Sequence, residues 1–314
     1  MADANFFQEG DSIDYTPVAA VAAGEVVQIY DGRAAVAPTA IAAGVKGSVS
    51  VAGIYKVLKT ASEIHVPGQR IYWDESASTA TCVPSITAGD FWIGTCVEDI
   101  AASSATTTVD LNKNYRGTID AATETFASVP VLTAGDPRVT NVGGGMRFVL
   151  DATNEAQKID ALSHRAVSLA SDWIFFADVV IDAAAGSATD ISIGVADGTD
   201  NTDFQSVATF CTIHIDGGSQ DILVQSDDGA ADVAPTDSNI NWTAATPFNV
   251  VIDGRNPADI LLYINGIRET ASAITLAISA AANGLKACVH IEKTSSTNTA
   301  SVTVANMKIT TADL

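Results

Sequence analysis

The chain consists of short apolar runs that turn residues interrupt at regular intervals. Near residue 50, Val49 and Val51 alternate with Ser48 and Ser50, which is the period of a half-buried β-strand. Gly and Pro separate most of the runs, and an Ala-Ala-Gly turn occurs at both 22–24 and 42–44. Because hairpins require such residues between strands, the pattern predicts an all-β protein.

The predicted strands fall into two groups. The first, within residues 1–114, predicts a small β-barrel or β-clip with strands near 12–16, 25–30, 34–37, 45–59, 69–74, 91–99 and 106–111. The second, within residues 146–314, predicts an antiparallel β-sandwich or barrel with strands near 146–150, 173–181, 190–195, 206–215, 221–225, 248–252, 260–264, 285–291 and 301–309. A spacing of about ten residues between strands is typical of sandwiches and barrels. The Thr- and Ala-rich residues 115–145 are predicted to be a linker.

Three local patterns refine these predictions. Asn154 and Gln157 are spaced like a helix-capping pair ahead of apolar residues at helical spacing, so residues 154–171 fit either a short helix or two strands. Asn265-Gly266 predicts a tight hairpin turn. In the last strand, the apolar residues change parity after 304, which predicts a β-bulge near 305–306.

The acidic charge excludes one class of partner. The chain has 37 Asp and Glu against 16 Lys and Arg, a formal net charge of −21, and no basic run with interleaved aromatic residues. Such a chain repels phosphate backbones, so nucleic-acid binding is not expected. An acidic surface also keeps a protein soluble at high local concentration.

Cysteine spacing and hydropathy exclude further classes. The four cysteines form no Cys-x-x-Cys pair, so neither a zinc site nor a disulfide framework is predicted. We expect these side chains to be buried as small apolar groups; they are Cys82, Cys96, Cys211 and Cys288. The acidic first residues precede no apolar segment, and no apolar run approaches the roughly 18 residues of a membrane span. These features predict a protein made in a cytoplasm, without membrane insertion.

Four segments of the first group follow the pattern of one family. They are the Asn-Phe-Phe-Gln-Glu-Gly-Asp stretch at 5–11, the Ala-Gly-Glu step at 23–25, the strand at 49–59 and the Gln-Arg-Ile-Tyr-Trp-Asp strand at 69–74. In this order and spacing, residues 1–114 resemble the capsid decoration, or cement, proteins of tailed bacteriophages. The resemblance implies a non-enzymatic virion protein that binds the major capsid protein on the outer surface of the capsid as a homotrimer, stabilises the head, and is assembled in the host cytoplasm.

Phe6 and Phe7 are the predicted contact residues of this first domain. They precede the first predicted strand, and an apolar pair on a terminal arm has two roles open to it. It packs on its own domain, or it docks on a capsid subunit or a sister protomer.

The second group resembles a different set of proteins. The strand, turn and strand of 248–268, together with 173–181 and 302–309, are similar to the jelly-roll sandwich of concanavalin-like lectins and laminin-G-like modules. The resemblance implies an outward-projecting module that binds glycans or a host surface, with many copies on one shell providing avidity. A passive spacer, a second trimer contact, a glycan-degrading enzyme and a tail-associated adhesin are the alternatives.

One loop is a candidate metal site. Residues 197–203 bring together the carboxylates of Asp197, Asp200 and Asp203 and the amide of Asn201. Calcium prefers several such oxygens, but the same residue types are also the commonest turn formers, which favours a solvated turn. No other cofactor is predicted.

No catalytic motif emerges from the chain. His214 and Asp216 lie two apart on one predicted strand, where they are able to share a face as a pair. The sequence contains no Walker loop, Gly-x-Ser-x-Gly elbow or His-Glu-x-x-His motif, which are the signatures of nucleotide binding, serine hydrolysis and zinc proteolysis. It also lacks the Glu-x-Asp-x-x-Glu motif of jelly-roll glucanases. We therefore expect no enzyme.

Overall fold

A computed structural model describes residues 10–83, 89–114, 119–120, 123–126, 134–142, 145–200, 203–230, 232–269, 275–279, 281 and 284–311. The chain divides into two compact units, Met1–Tyr115 and Arg116–Leu314, and each is described by itself. The described residues form antiparallel sheets and one short 3₁₀ turn, which confirms the predicted all-β class. In this described part, no helix is long and apolar enough to cross a membrane.

The first unit begins with a four-stranded antiparallel sheet. Its strands are β1 (Ser12–Tyr15), β2 (Val26–Gln28), β3 (Ala34–Val36) and β4 (Gly47–Ser50), which lie side by side in the order β1, β4, β3, β2. Val49 and Val51 are buried and Ser48 is exposed, as the alternation of the sequence predicts. The inner face packs into a small apolar core with Val21, Ile29 and Ile41.

A five-stranded antiparallel sheet follows in the same unit. Its strands are β5 (Ile54–Leu58), β6 (Arg70–Asp74), β7 (Thr79–Thr81), β8 (Phe91–Cys96) and β9 (Thr106–Leu111), in the order β5, β9, β8, β6, β7. The single strand predicted at 45–59 is wrong in this respect. Gly53, at φ +115°, lets the chain leave β4 and enter β5 in the other sheet, a conformation that glycine adopts without a steric penalty.

The two sheets of the first unit repeat one another. The strand order β5, β9, β8, β6 matches β1, β4, β3, β2, and β7 is an additional edge strand. Each half also has one isolated antiparallel bridge, Val21 with Ile41 and His65 with Ile100, at the entry to a tight turn. In the turns after Val21 and His65, the side chain of the residue four positions on accepts a backbone N–H, from Ala22 to Glu25 and from Val66 to Gln69. The unit is therefore built from one supersecondary motif used twice.

The halves share a core but do not close into a barrel. Val26, Ala34 and Val36 of the first half pack in one cluster with Ile71, Trp73 and other apolar residues of the second. Neither sheet closes on itself. Lys59, next to β5, forms a single parallel bridge with Ala80 of β7, so the edges of the second sheet meet at one end only. Of the predicted barrel or clip, the barrel is not formed among the described residues.

Asn112 joins the halves through its side chain. Its Nδ2 donates to the backbone oxygens of Ala34 and Val51, both at 2.8 Å, and its Oδ1 accepts the N–H of Ala34 at 2.9 Å. The residue has a φ of +57°, a left-handed conformation that asparagine tolerates better than most residues. Asn112 thus satisfies three backbone groups that no neighbouring strand reaches.

The second unit is a two-sheet sandwich. Its strands are β10 (Ile119–Asp120), β11 (Thr123–Phe126), β12 (Arg138–Val142), β13 (Gly145–Leu150), β14 (Glu155–Ser163), β15 (Trp173–Ala184), β16 (Thr189–Ala196), β17 (Phe210–Asp216), β18 (Asp221–Asp227), β19 (Val233–Asn241), β20 (Pro247–Asp253), β21 (Leu261–Ile264), β22 (Ile267–Arg268), β23 (Lys286–Ser296) and β24 (Ala300–Thr311). One sheet has the order β12, β13, β24, β15, β20, β21, β22, with β10 beside β24. The other has the order β11, β14, β23, β16, β17, β18, β19.

The core of this unit lies between the two sheets. Side chains from both sheets form one apolar cluster around Phe148, Trp173 and Phe175 on one side and Ile191 and Ile213 on the other, all fully buried. Apolar burial of this extent is the dominant favourable term in folding. Strands β10, β11 and β12 pair with this unit, although they lie within residues 115–145.

Residues 155–163 form a strand, not a helix. β14 pairs with β23 from Gln157 to Leu162, and its residues from Gln157 onward are buried on both faces. When both faces of a strand are covered, apolar residues need not alternate, so their spacing matches a helical period by accident. The backbone pairing with β23 decides between the two alternatives.

Two local predictions are confirmed. Asn265 and Gly266 have φ values of +53° and +70°, the combination of a type I′ turn, between β21 and β22. The register between β15 and β24 shifts between Phe176 and Asp178, which face Lys308 and Ala305. Asn306, at φ +50°, lies in this bulge and restores the burial of Met307 and Ile309.

We predict that Asn112→Ala lowers the free energy of unfolding of the first unit by about 3 kcal/mol, from lost hydrogen bonds and left-handed strain. Asn112→Gly is the matched variant, because it removes the hydrogen bonds and relieves the backbone strain, so we expect a smaller loss of about 2 kcal/mol. Denaturant unfolding, with hydrogen exchange of the β3 amides to assign the change to this unit, measures both. Wild-type stability in the alanine variant would show that the three bonds contribute nothing.

Candidate functional site

The structure locates the predicted site residues as follows. Phe6 and Phe7 lie outside the described residues. In the predicted metal loop, Asp197 is buried, and burial raises the pKa of its carboxyl. Asp200 accepts the N–H of Asp203 at 3.2 Å, and Asp203 caps the 3₁₀ turn Phe204–Ser206 by accepting the N–H of Gln205 at 3.0 Å.

These carboxylates do not converge on one point. Within the described part of the chain, ligand atoms of Asp197, Asp200 and Asp203 do not all lie within 4.8 Å of one another. Asn201, the fourth predicted ligand, lies outside that part. Two of the three carboxylates accept backbone hydrogen bonds, as in ordinary Asx turns. The loop thus presents turn geometry instead of a preformed calcium shell.

A row of buried polar side chains crosses the outer face of the seven-stranded sheet. Asp160, His290, Ser192 and His214 lie on β14, β23, β16 and β17 and face one another in register. His290 Nδ1 lies 2.6 Å from Asp160 Oδ1, and His214 Nδ1 lies 3.1 Å from Ser192 Oγ. Gln225 on β18 donates to Ser192 Oγ at 3.2 Å. This polar row is continuous across five adjacent strands.

Charged residues form a second row beside it. Lys158 Nζ lies 3.8 Å from Asp160 Oδ2 and 3.7 Å from Glu292 Oε2, and His290 Nε2 lies 3.4 Å from Glu292 Oε2. Burial opposes the charge on His290, but its hydrogen bond to Asp160 and its ion pair with Glu292 raise its pKa. Burial likewise acts to raise the pKa of Glu292, while the ion pair with His290 lowers it. The buried cations and anions therefore stabilise one another.

On the same face, the pKa values of Asp190 and His214 shift in the opposite directions to those of Glu292 and His290. Burial, with repulsion from Glu292 and Asp216, raises the pKa of Asp190 to about 6. Burial lowers the pKa of His214 to about 4, although its Nε2 lies 3.7 Å from Asp190 Oδ1. The two-residue spacing of His214 and Asp216 allowed them to form a pair on one face, but the ion pair of His214 in the described structure is with Asp190.

A loop covers one end of the polar row. The Phe204 ring lies 5.0 Å from the rings of both His290 and Phe210, centroid to centroid. Phe204 and Val207 also join an apolar cluster with Leu162 of β14. His290 is 1% exposed, so no substrate reaches its ring in this conformation. An acid–histidine pair has the chemistry of a general base, but here it lies beneath the loop.

The first unit contains its own buried polar cluster. Among the described residues, Glu63, His65 and Cys82 form the one group of three potential metal ligands within 4.8 Å of one another. Glu63 already accepts from Thr81 Oγ1 at 2.7 Å and from the N–H of Cys82 at 3.0 Å, and its Oε2 lies 2.9 Å from His65 Nε2. The carboxylate is therefore satisfied by protein donors, as buried polar groups require.

The buried Lys59 lies beside this cluster. Lys59 Nζ donates to the backbone oxygen of Glu63 at 2.6 Å, and burial lowers its pKa despite the Glu63 charge. A second cation would be repelled by this ammonium. All four cysteines of the chain are buried and free, which confirms their predicted environment. The sequence singles out His214 but neither cluster as a whole, because Cys82 is distant in sequence from Glu63 and Asp160 lies 130 residues from His290.

The outer surface of the first unit carries exposed apolar side chains. Val18 and Tyr30 are 87% and 78% exposed, and Ile54 and Leu58 on strand β5 are 63% and 59% exposed. Monomeric proteins tolerate single exposed apolar residues, whereas a group of them indicates an interaction surface.

Comparison with known proteins gives one clear match. Residues 7–111 match the family of phage cement proteins, which confirms the resemblance predicted for the first domain. No curated protein matches the chain.

Solved structures give weaker similarities. A carbohydrate-binding module, CBM66 from Bacillus subtilis, has 8% identity, covers 62% of this chain and 99% of its own, and has a TM-score of 0.39. The carbohydrate recognition domain of Emp47p has 9% identity, coverage of 63% and 91%, and a TM-score of 0.39. An alginate lyase from Pseudomonas aeruginosa has 14% identity, coverage of 55% and 85%, and a TM-score of 0.38.

Asp190 makes the second unit sensitive to pH. Its pKa in the folded protein is about 6, above the ordinary 3.8. The contribution of Asp190 to the free energy of unfolding is therefore most favourable below about pH 4 and is lost as the pH rises through 6. We expect Asp190→Asn to raise stability at pH 8 by about 1 kcal/mol, a value reduced for solvent screening because the side chain is 35% exposed.

Thermal unfolding of the wild type and Asp190→Asn between pH 4 and pH 8 tests this expectation. The two should coincide near pH 4, where both side chains are neutral, and diverge as the pH rises. The exposed Asp172 provides the control, since Asp172→Asn should follow the wild type throughout. A gain from Asp190→Asn that is equal at every pH would contradict the raised pKa.

Proposed function

We propose that this protein is a capsid decoration protein whose first unit binds the outer surface of the major capsid lattice and stabilises it. The observation that carries the proposal is the match of residues 7–111 to phage cement proteins. That match spans most of both repeated sheets, so it covers the folded module and not only a short motif.

Binding without chemistry is sufficient for this role. A module that binds the assembled shell more tightly than free subunits stabilises the shell by mass action. The exposed Tyr30, and Arg70 stacked 5.1 Å from the ring of Trp92, are residue types that are enriched at protein interfaces. The net charge of −21 opposes non-specific association between crowded copies. A homotrimer, with Phe6 and Phe7 as contact residues, remains part of this proposal.

The second unit is proposed to project from the shell and bind glycans or a host surface. A groove of about 950 Å³ is lined by Val167, Leu169, Pro257 and Ile278, with Asp228 at its edge. Its volume lies in the range of small-ligand sites. Many copies on one particle would convert weak affinity into useful avidity.

An enzyme and a tail-associated adhesin are the competing functions. The Asp160–His290 pair is covered, and the Glu63 carboxylate is satisfied by protein donors, so neither of these two clusters is open to a substrate. A glycosidase needs two carboxyl groups across an accessible sugar. We therefore propose a binding protein that performs no turnover, assembled in the host cytoplasm and located on the virion.

Binding to purified heads tests the first proposal. The full-length protein should co-sediment with heads of its own phage that were assembled without it, and should raise the temperature at which these heads release DNA. Isolated tails from the same preparation are the control and should bind none. Absence of head binding would exclude the decoration role, and binding to tails alone would support the adhesin instead.

A glycan array combined with a reducing-sugar assay tests the second unit. We expect binding to at least one glycan class without release of reducing ends. Asp228 accepts the N–H groups of Ser279 at 2.6 Å and Ala230 at 2.9 Å, so Asp228→Ala should disturb the groove and weaken binding. Asp172→Asn is the control. A silent array would favour the spacer, and product release would favour the enzyme.

A further inference from the structure

Strand β5 is an edge strand with an apolar outer face. It pairs with β9 on one side through all five residues, from Ile54 with Asp110 to Leu58 with Thr106, without a register shift. Tyr55 and Val57 pack against the core of the first unit, so the alternate residues Ile54, Lys56 and Leu58 point outward and are exposed. Natural sheets usually protect such an edge with proline, a bulge or several charges, and Lys56 is the one protective residue in β5.

The repeated half supplies an internal comparison. Strand β1 has the same place in its sheet, at the edge beside the last strand of its half. Its outward positions are Ser12 and Asp14, both exposed, and Asp14 forms an ion pair with Lys46 at 2.5 Å. The motif therefore folds with a polar edge in one copy and an apolar edge in the other. Folding of the motif does not require the apolar residues of β5.

Among the described residues, the backbone groups along the outer edge of β5 have a defined pattern. Leu111 N donates to Gly53 O at 2.9 Å, and Lys59 N donates to Ala105 O at 3.0 Å. Because antiparallel pairing alternates, residues 53, 55, 57 and 59 direct their N–H and C=O groups to β9. Ile54 and Lys56 direct theirs away from it, and β7 reaches this edge only at the single bridge of Lys59 with Ala80.

We propose that the outer edge of β5 is the capsid-docking edge of the first unit, where an extended segment of the major capsid protein adds as a further strand. The inference rests on the proposed function and names the surface that performs it. The expected segment has apolar residues that contact Ile54 and Leu58 and an acidic residue opposite Lys56. Main-chain bonds would provide affinity, and the alternate side chains would provide specificity.

Charge argues against a second copy of this chain as the occupant. An antiparallel pair of β5 strands centred on their middle residue would bring Lys56 directly opposite Lys56. Like charges in that position destabilise a strand pair. A partner strand with an acidic residue opposite Lys56 avoids this repulsion.

The test compares edge variants of the full-length protein on heads assembled without it. Ile54→Thr/Leu58→Thr gives β5 a polar face like that of β1 and places residues of high strand propensity at both positions. We expect this variant to bind heads at least about tenfold more weakly, because two apolar contacts are lost. Lys56→Asp should weaken binding as well, because it places a carboxylate opposite the expected acidic residue of the partner. The difference in affinity between this variant and the wild type should become smaller at high salt. Ile267→Thr, at a side chain 47% exposed in the second unit, is the matched control and should bind like wild type.

Hydrogen exchange on the bound protein tests the strand addition itself. The amides of Ile54 and Lys56 should become protected on heads, while their protection in the free protein stays low. Unchanged thermal unfolding of the free variants shows that they fold. If wild type binds heads and the double variant binds equally, or the two amides stay unprotected, the docking edge is wrong while the decoration role stands.

Two further outcomes would overturn the inference. If wild type does not bind heads, the proposed function and the docking edge fail together. If wild type self-associates in sedimentation velocity and Ile54→Thr/Leu58→Thr abolishes it, the occupant of β5 is a second copy of this chain.

Discussion

Backbone hydrogen bonding between strands is the constraint on which this structure depends. Strands and one short 3₁₀ turn are the regular elements among its described residues, so the protein satisfies its peptide groups mainly across neighbouring strands or through side chains. The Asn112 side chain takes this role for the N–H and C=O of Ala34 and the C=O of Val51. The outermost strand of each sheet has backbone groups on one side that no strand of that sheet pairs with. Among these edge strands, β1 has polar outward side chains, whereas those of β5 are mainly apolar. A polar edge stays in water, whereas an apolar edge with unpaired backbone groups favours a partner strand.

The repeat in the first unit shows which features both copies of the motif share and which residues differ between them. Both copies have the same strand order and the same pattern of bridge and turn. At the bridge, the first copy has the apolar Val21, whereas the second has His65 bonded to Glu63 and Thr107. The motif therefore tolerates a buried polar network in place of an apolar contact, provided that every group has a partner.

The sandwich of the second unit also contains buried polar side chains that bond to one another, and this network is larger than that of the first unit. One face of its seven-stranded sheet packs in the apolar core, while the other buries Asp160, His290 and Ser192. Buried charges are tolerated when opposite charges and hydrogen bonds compensate them. The loop that contains Phe204 completes the cover at one end. A face of this kind has the residues of a binding or catalytic surface, but in this conformation a ligand has no access to them.

The sequence by itself determined the features that depend on neighbouring residues. Alternation identified Val49 and Val51 as buried, the Asn265-Gly266 pair predicted a type I′ turn, and a parity change located the bulge at Asn306. The family pattern of the first domain was also readable, because its motifs are local. Only the tertiary structure decided that residues 155–163 form a strand beside β23, that Gly53 divides one apolar run between two sheets, and that Asp160 meets His290. These features depend on partners up to 130 residues apart, and local periodicity contains no information about which strand lies opposite.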